Sequence, residues 1–135
     1  GGVDMSAKRL LVVDDQPGVR FLICEIFREE GYSVAEAGNF EEAIETAKKF
    51  MPDVALVDMR LGNNKGYDGG DIIKELKQCI PELVSIIVTA NGEPDKLNKA
   101  MMNGAVYCLE KPFTVGEIVG VVNEQYEKYA WGEKK

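Results

Sequence analysis

Two stretches, Leu10-Leu11-Val12-Val13-Asp14-Asp15 and Val54-Ala55-Leu56-Val57-Asp58, follow one pattern in which four apolar residues run directly into carboxylates. Short continuous apolar runs are typical of strands that are buried on both faces of a parallel sheet. A carboxylate at the end of such a strand costs free energy unless a partner compensates it. These strand ends therefore indicate a functional edge of the sheet.

Two further apolar runs end in polar groups of a different kind. The run over residues 84–88 ends in Thr89, and the run over residues 106–110 ends in Lys111. Parallel strands present their carboxyl ends at the same edge of an open α/β sheet, where such folds bind ligands. We therefore expect three acids, one hydroxyl and one ammonium group to converge at one edge.

Helical spacing separates the apolar runs, and this alternation predicts an α/β fold with five βα units. The expected strands cover residues 9–13, a weak 33–37, 54–57, 84–88 and 106–110. The expected helices start at Pro17, at an Asn39/Glu42 capping box, near Asp71, after Pro94 and at a Thr114/Glu117 capping box. Residues 59–70 are rich in Gly and Asn and are predicted to form a long loop at the functional edge.

The apolar stripes of the first and last helices predict which residues face the core. In the first helix the stripe is Val19, Leu22, Ile23, Ile26 and Phe27. In the last helix it is Val115, Ile118, Val119, Val122, Tyr126 and Tyr129.

Composition and charge exclude several classes of function. The 135 residues suit one domain, and the formal net charge of −7 with no basic cluster argues against a nucleic-acid surface. No apolar run is long enough to cross a membrane, and no leader precedes Met5, so we expect a cytoplasmic protein. Residues 1–7 are interpreted as a cloning remnant with an N-terminal extension, residues 8–130 as the domain, and residues 131–135 as a disordered tail.

The cysteine and histidine counts narrow the chemistry further. Cys24, Cys79 and Cys108 are three in number and widely spaced, which favours reduced thiols over a disulfide or zinc framework. The chain contains no histidine. This excludes serine-histidine and cysteine-histidine catalysis, and it excludes this chain as a phosphohistidine donor.

The expected set of strand-end groups suits phosphoryl chemistry. Clustered carboxylates repel each other unless a cation compensates them, and Mg²⁺ binds oxygen ligands while keeping several waters. Asp58, alone at its strand end, is the better nucleophile candidate than the Asp14-Asp15 pair. Lys111 supplies a positive charge and Thr89 a hydroxyl donor for phosphoryl oxygens.

Six short motifs stand in one order along the chain: Val12-Val13-Asp14-Asp15, Leu56-Val57-Asp58, Asp68-Gly69, Val88-Thr89-Ala90, Asn103-Gly104-Ala105 and Lys111-Pro112-Phe113. With these motifs the sequence resembles, over residues 8–129, the receiver domains of response regulators in two-component signalling. The resemblance implies a flavodoxin-like three-layer sandwich with a parallel sheet of order 2-1-3-4-5. It also implies that a histidine kinase or phosphotransfer protein donates the phosphoryl group, and that the domain controls a target protein or an output domain.

The resemblance also implies roles for individual residues. Asp58 would be the phosphoacceptor, while Thr89 and Lys111 would bind the phosphoryl oxygens. Asp15, Asp58 and the backbone carbonyl of Arg60 would bind Mg²⁺ directly, with Asp14 acting largely through water. The Lys111-Pro112 peptide bond would be cis.

Three features depart from the family pattern. The loop after Asp58 is longer and lacks the usual proline. Cys108 stands in the place of the family's switch aromatic residue, with Tyr107 one position earlier, so we expect the readout to rely on residues 89–94 and the helix after them. Arg60 and Asn91 occupy the places where the family tunes phosphoryl lifetime.

Alternatives from other classes remain open. A Mg²⁺-dependent aspartyl-phosphate phosphatase would share the acids. Such enzymes carry an Asp-x-Asp motif at the first strand, whereas this chain has Asp14-Asp15-Gln16-Pro17 there, with no second acid two positions after the first. A flavodoxin would need a Ser/Thr-rich phosphate-binding loop after the first strand, and the loop after Asp15 in this chain is not of that kind. Met102 and Val121 fall outside the core stripes of their helices. They are candidates for a partner or homodimer surface formed by the fourth helix, fifth strand and fifth helix.

Overall fold

The computed structural model describes residues 7–61, 66–90 and 94–131. Strands and helices alternate along the chain. The strands are β1 (Arg9–Val13), β2 (Ser33–Ala37), β3 (Val54–Asp58), β4 (Val84–Thr89) and β5 (Ala105–Glu110). The helices are α1 (Pro17–Glu29), α2 (Phe40–Phe50), α3 (Gly69–Cys79), α4 (Pro94–Met102) and α5 (Val115–Gln125), and α5 continues as a π-helical segment, Tyr126–Trp131.

The five strands form one parallel sheet in the order β2-β1-β3-β4-β5. In its register, Val13 of β1 lies opposite Val57 of β3, and Asp58 lies opposite Val88 of β4. The carboxyl ends of the three central strands are therefore level with one another. The predicted fold class and strand order are confirmed.

Two apolar cores lie on opposite faces of the sheet, which makes the fold a three-layer sandwich. One core packs the sheet against α2, α3 and α4, and Ile72, Ile73 and Leu76 of α3 are fully buried in it. The other packs it against α1 and α5, where Phe27 and Ile118 are fully buried. Within the described residues, no helix is both long enough and apolar enough to span a membrane.

The helical stripes are mostly correct, but two of their members are exposed. Leu22 is 60% exposed and Val115 is 58% exposed. The buried face of α1 is centred on Ile23, Cys24 and Phe27, so that Leu22 lies at its outer border. Val115 is the first residue of α5, directly after the Thr114 cap, and the buried residues of this helix begin only at Ile118.

Helix α3 begins earlier than the sequence predicts, at Gly69 rather than near Asp71. Asp68 caps it: its Oδ1 accepts a bond of 3.1 Å from the N–H of Asp71, and Oδ2 of Asp71 accepts one of 2.9 Å from the N–H of Asp68. This is a capping box with Asp in place of the usual Glu or Gln. The predicted loop is therefore shorter, and its residues 62–65 lie outside the described part of the chain.

The two predicted capping boxes form in part. Asn39 accepts a bond of 2.9 Å from the N–H of Glu42, while the Glu42 carboxylate accepts from the N–H of Gly38. Thr114 accepts a bond of 3.0 Å from the N–H of Glu117. The helix starts are thus correct, although Glu42 satisfies a donor one residue before the expected one.

Strand β5 contains an irregularity that the sequence does not indicate. Ser85 lies opposite Ala105, yet the next residue of β4, Ile86, lies opposite Tyr107. Val106 is therefore an extra residue, as in a β-bulge. As a result, Cys108 packs against the core with α2, α3 and α4, whereas Val106 packs against the core with α1 and α5.

Candidate functional site

The ends of β1, β3 and β4 bring three of the predicted side chains to one edge of the sheet. Asp14 and Thr89 are each 3% exposed, and Asp58 is 9% exposed. Backbone bonds hold the loops behind them: the N–H of Met59 donates to the carbonyl of Val88 at 2.7 Å, and the N–H of Lys111 donates to that of Thr89 at 2.7 Å. The fifth strand end is thereby tied to the fourth.

Asp58 has a fixed partner at each carboxylate oxygen. The ammonium Nζ of Lys111 lies 3.0 Å from Oδ2, and the backbone N–H of Arg60 donates a bond of 3.1 Å to Oδ1. A cavity of about 260 Å³ opens in front of this carboxylate. Its lining residues are Asp15, Gln16, Asp58, Arg60, Ala90 and Lys111. The cavity is large enough for a tetrahedral oxyanion, which Lys111 would meet with a positive charge.

Asp14 lies deeper than Asp58 and carries an unfavourable charge. Burial raises the pKa of its carboxyl to about 6, the bond from the N–H of Gln16 opposes that rise, and the neighbouring Asp58 carboxylate adds to it. The bond from Gln16 measures 2.9 Å and ends on Oδ1 of Asp14. Asp14 and Asp58 are buried next to each other, with Lys111 as a nearby cation. Additional positive charge would therefore stabilise the site.

The donor set fits a hard divalent cation with few protein ligands. Among the described residues, no three acidic, histidine or cysteine side chains stand close enough together to hold a metal by themselves. Mg²⁺ does not require this, because it keeps several waters and is usually bound through one or two carboxylates. Asp15 and Asp58 line the same cavity as Arg60. These are the residues that could hold the cation.

The residues at the family's switch position lie on β5. The Lys111-Pro112 bond is cis, as the resemblance implied. Cys108 is half-buried, and its burial raises the pKa of its thiol. Tyr107 is 37% exposed and lies opposite Ile86 of β4. Neither residue lines the cavity in front of Asp58. Asn91 falls outside the described residues.

The two residues predicted for a partner surface differ in exposure. Met102, the last residue of α4, is 87% exposed and Met101 before it is 44% exposed. Val121 is half-buried and packs against the core with α1 and α5. Val121 therefore contributes in part to the core, although the sequence places it outside the core stripe of its helix, and its role at a partner surface stays a prediction.

The structure gives a physical reason for Gly69 of the Asp68-Gly69 motif, and it adds Lys99, which the sequence analysis did not single out. A Cβ at Gly69 would collide with the carbonyl of Asp58 and with the side chain of Ile87, so only glycine lets α3 start this close to β3. On α4, Nζ of Lys99 lies 2.8 Å from Oδ1 of Asp71 and 3.7 Å from Oδ1 of Asp68. The Asp-x-x-Asp spacing is the sequence signal that could have revealed this cap.

The geometry thus defines a parallel α/β domain with a buried carboxylate, a lysine and a hydroxyl at its strand ends. The model of the response regulator receiver domain matches residues 10–123. The chain belongs to this family, and it is a receiver domain of a two-component response regulator. The predicted family is confirmed.

Relatives agree with this assignment. Sporulation initiation phosphotransferase F of Bacillus subtilis (strain 168) is 37% identical over 120 residues, which are 89% of this chain and 94% of that protein. Transcriptional regulatory protein PdtaR of Mycobacterium tuberculosis (strain CDC 1551 / Oshkosh) is 31% identical over 116 residues, which are 85% of this chain and 55% of that protein. The family thus includes proteins of about this length and longer ones.

A solved structure shows the same fold. The response regulator receiver domain protein (CheY-like) from Methanospirillum hungatei JF-1 superposes with a TM-score of 0.88 at 23% identity. The match covers 95% of this chain and 99% of that one. All five βα units are therefore shared.

Proposed function

We propose that this domain accepts a phosphoryl group on Asp58 from a histidine kinase or phosphotransfer protein in the cytoplasm, and that it then changes conformation to control a target protein or an output domain. The observation that carries the proposal is the 3.0 Å contact of Lys111 Nζ with Asp58 Oδ2 at the mouth of the cavity. A carboxylate held this way is a nucleophile with a cation already in place for the incoming charge.

The proposed reaction transfers a phosphoryl group from a nitrogen of the donor to an oxygen of Asp58. An Asp58 oxygen attacks the phosphorus, the phosphorus–nitrogen bond to the donor imidazole breaks, and that nitrogen keeps the electron pair. The ammonium group of Lys111 is positioned to bind the phosphoryl oxygens. Thr89, at the end of β4, supplies a hydroxyl beside the acceptor strand, because Asp58 and Val88 are opposite each other in the register.

Mg²⁺ is the cofactor that the site supports best. When bound, it neutralises charge on the phosphoryl oxygens. Asp15, Asp58 and the carbonyl of Arg60 would hold it, and Asp14 would act largely through water. This division expects Asp15→Ala to weaken Mg²⁺ binding more than Asp14→Ala, and equal losses in a calorimetric titration would contradict it.

Phosphorylation is tested with a small phosphodonor and Mg²⁺, followed by intact mass spectrometry. The wild type should gain one phosphate, and Asp58→Asn should gain none, because the amide keeps the shape but is not a nucleophile. Asp95→Asn, at an exposed acid in the first turn of α4, is the matched control and should behave as the wild type. An undiminished adduct on Asp58→Asn would refute the assignment.

The same incubation separates the alternatives. A stable acyl phosphate on Asp58 is the expected result for a receiver domain. Rapid and continuous release of inorganic phosphate from the donor would indicate a Mg²⁺-dependent aspartyl-phosphate phosphatase. Neither adduct nor turnover would indicate a binding module such as a flavodoxin.

We further propose that the partner surface includes the end of α4 and the exposed part of β5. Met101, Met102 and Tyr107 are its exposed apolar residues. Such residues at the switch side of the domain suit a target, an output domain or a second copy of the chain. Analytical ultracentrifugation with the phosphoryl mimic beryllofluoride tests the homodimer, and a dimer that Met102→Glu leaves intact would contradict this surface.

A further inference from the structure

The side chain of Arg20 connects helix α1 with the loop that carries the two strand-end acids. Its Nη1 donates a hydrogen bond of 2.7 Å to the backbone carbonyl of Asp14. Its Nε donates a bond of 2.9 Å to Oε1 of Glu36 on β2. The Arg20 side chain is only 19% exposed, which limits the competition of water for its bond to the Asp14 carbonyl, whereas the Glu36 side chain is 42% exposed.

Three bonds together hold Asp14. Its N–H donates to the carbonyl of Ala37 at 3.1 Å, its Oδ1 accepts from the N–H of Gln16 at 2.9 Å, and its carbonyl accepts from Arg20. The first of these bonds restrains the backbone N–H of Asp14, and the second restrains its carboxylate. The bond from Arg20 reaches the peptide group that leads on to Asp15.

Holding the carbonyl of Asp14 restrains Asp15 as well. The six atoms of a peptide group are coplanar, so an oxygen fixed in direction also fixes the N–H and the Cα position of the next residue. Asp15 lines the cavity together with Asp58 and Lys111. A guanidinium on α1 is thus coupled through one rigid peptide to an acid that faces the reaction site.

Gly38, in the turn between β2 and α2, leaves room for this guanidinium. A Cβ at Gly38 would lie 2.9 Å from Nη1 of Arg20, which is closer than carbon and nitrogen atoms approach without a shift. Gly38→Ala is therefore a way to displace the guanidinium without removing its charge.

We propose that Arg20 is a positioning residue for the acid pair: its bond to the Asp14 carbonyl, braced by Glu36, sets the backbone orientation from which Asp15 faces the cavity. The inference rests on the proposed function, because Asp15 matters as a Mg²⁺ ligand. It differs from a purely stabilising role in one respect. Loss of the guanidinium should change the site more than it changes the fold.

The experiment compares Arg20→Met with Arg28→Met. Arg28 lies on the same helix and forms an ion pair with Glu25 at the same distance, 2.9 Å, but at the end of α1 away from the acids. Arg20→Lys keeps the charge, yet one ammonium on a thinner stem cannot reproduce the fork that reaches two acceptors. Gly38→Ala provides a fourth variant that keeps Arg20 itself.

Two readouts are measured for each variant, the Mg²⁺ dissociation constant by calorimetry and the amide resonance of Asp15 in metal-free protein by NMR. Arg20→Met should raise the dissociation constant about tenfold, as loss of residues that orient metal ligands does, and should shift the Asp15 resonance. Arg20→Lys and Gly38→Ala should give smaller changes in the same direction. Arg28→Met should leave both readouts at the wild-type value.

Equal Mg²⁺ affinity and an equal Asp15 resonance in Arg20→Met and Arg28→Met would overturn the inference, even if Arg20→Met lowered the melting temperature. If Arg20→Met does not fold, Gly38→Ala and Arg20→Lys decide by the same criteria. A wild type that neither binds Mg²⁺ nor gains phosphate on Asp58 would refute the proposed function instead. The metal-free Asp15 resonance would then still decide whether Arg20 positions this loop.

Discussion

The ring of Tyr67 stacks on the ring of Phe40, with centroids 4.3 Å apart and planes inclined by 18°. Tyr67 lies in the loop that follows strand β3, and Phe40 is the first residue of α2. Leu61, near the start of that loop, is buried in the core with α2, α3 and α4. Leu61 and Tyr67, which lie on either side of positions 62–65, therefore both pack against the layer formed by α2, α3 and α4.

Removal of the Tyr67 ring should measurably weaken the domain. Tyr67→Ala should lower the free energy of unfolding by about 1 kcal/mol, since stacked aromatic pairs contribute roughly that much. Urea denaturation followed by circular dichroism measures the change. Tyr67→Phe keeps the ring and is the control. If the Ala and Phe variants were equally stable, the stacking would contribute nothing.

The stability of the metal-free protein should depend on the protonation of Asp14. Its pKa is about 6 in the folded protein against 3.8 for the unperturbed group, mainly because of burial. Between these two values the folded state binds more protons than the unfolded state, so stability falls as the pH rises through this window. One pKa unit corresponds to about 1.4 kcal/mol, so the full loss is on the order of 2 to 3 kcal/mol.

Chelator-treated wild type and Asp14→Asn, compared by urea denaturation from pH 4 upwards, test this dependence. The Asn variant lacks the titrating group, so it should keep its stability in the range of pH where the wild type loses part of its own. Added Mg²⁺ should restore stability to the wild type at pH 7 by binding the folded state. Parallel pH profiles of the two proteins would show that Asp14 does not titrate as the structure indicates.

Ser85 should be replaceable with a gain in stability. Its hydroxyl is fully buried in β4 and has no hydrogen-bond partner within the described part of the chain. A buried hydroxyl left unpaired costs roughly 1 to 3 kcal/mol, so Ser85→Ala should stabilise the domain by about 1 kcal/mol. Ser33→Ala, at an exposed serine of β2, is the control and should change little. A destabilised Ser85→Ala would indicate that the hydroxyl finds a partner in solution.

The conformational readout should not depend on the side chain at the family's switch position. Cys108 is small and packs in the core layer of α2, α3 and α4, so its movement displaces little volume. We therefore expect beryllofluoride to shift the amide resonances of residues 95–103 in Cys108→Ala as in the wild type. Tyr107→Ala is the companion variant and reports any aromatic contribution.

The contrary outcome for the switch is specific. Cys108→Ala would have to lose the shifts of residues 95–103 while still binding beryllofluoride. In that case Cys108 itself would carry the signal from Asp58 to α4. Loss of beryllofluoride binding in the same variant would be a different defect, at the proposed phosphoacceptor Asp58.

The sequence alone determined the framework and the strand-end acids, hydroxyl and lysine of this protein. Buried parallel strands are continuous apolar runs, and a polar residue that ends such a run lies at the carboxyl edge of the sheet. This logic placed Asp14, Asp58, Thr89 and Lys111 correctly, and short-range rules placed the helix starts at Asn39 and Thr114.

The way in which those groups are held depends on contacts between elements that are distant in the sequence. The bond from Arg20 to the Asp14 carbonyl, the contact of Lys99 with Asp71 and the stacking of Tyr67 on Phe40 each join separate elements. Hydrophobic periodicity reports which face of an element meets the core, and it carries no signal for which polar or aromatic side chain meets which partner across that face. Such pairings depend on the positions of two packed layers, so they exist only once the chain has folded.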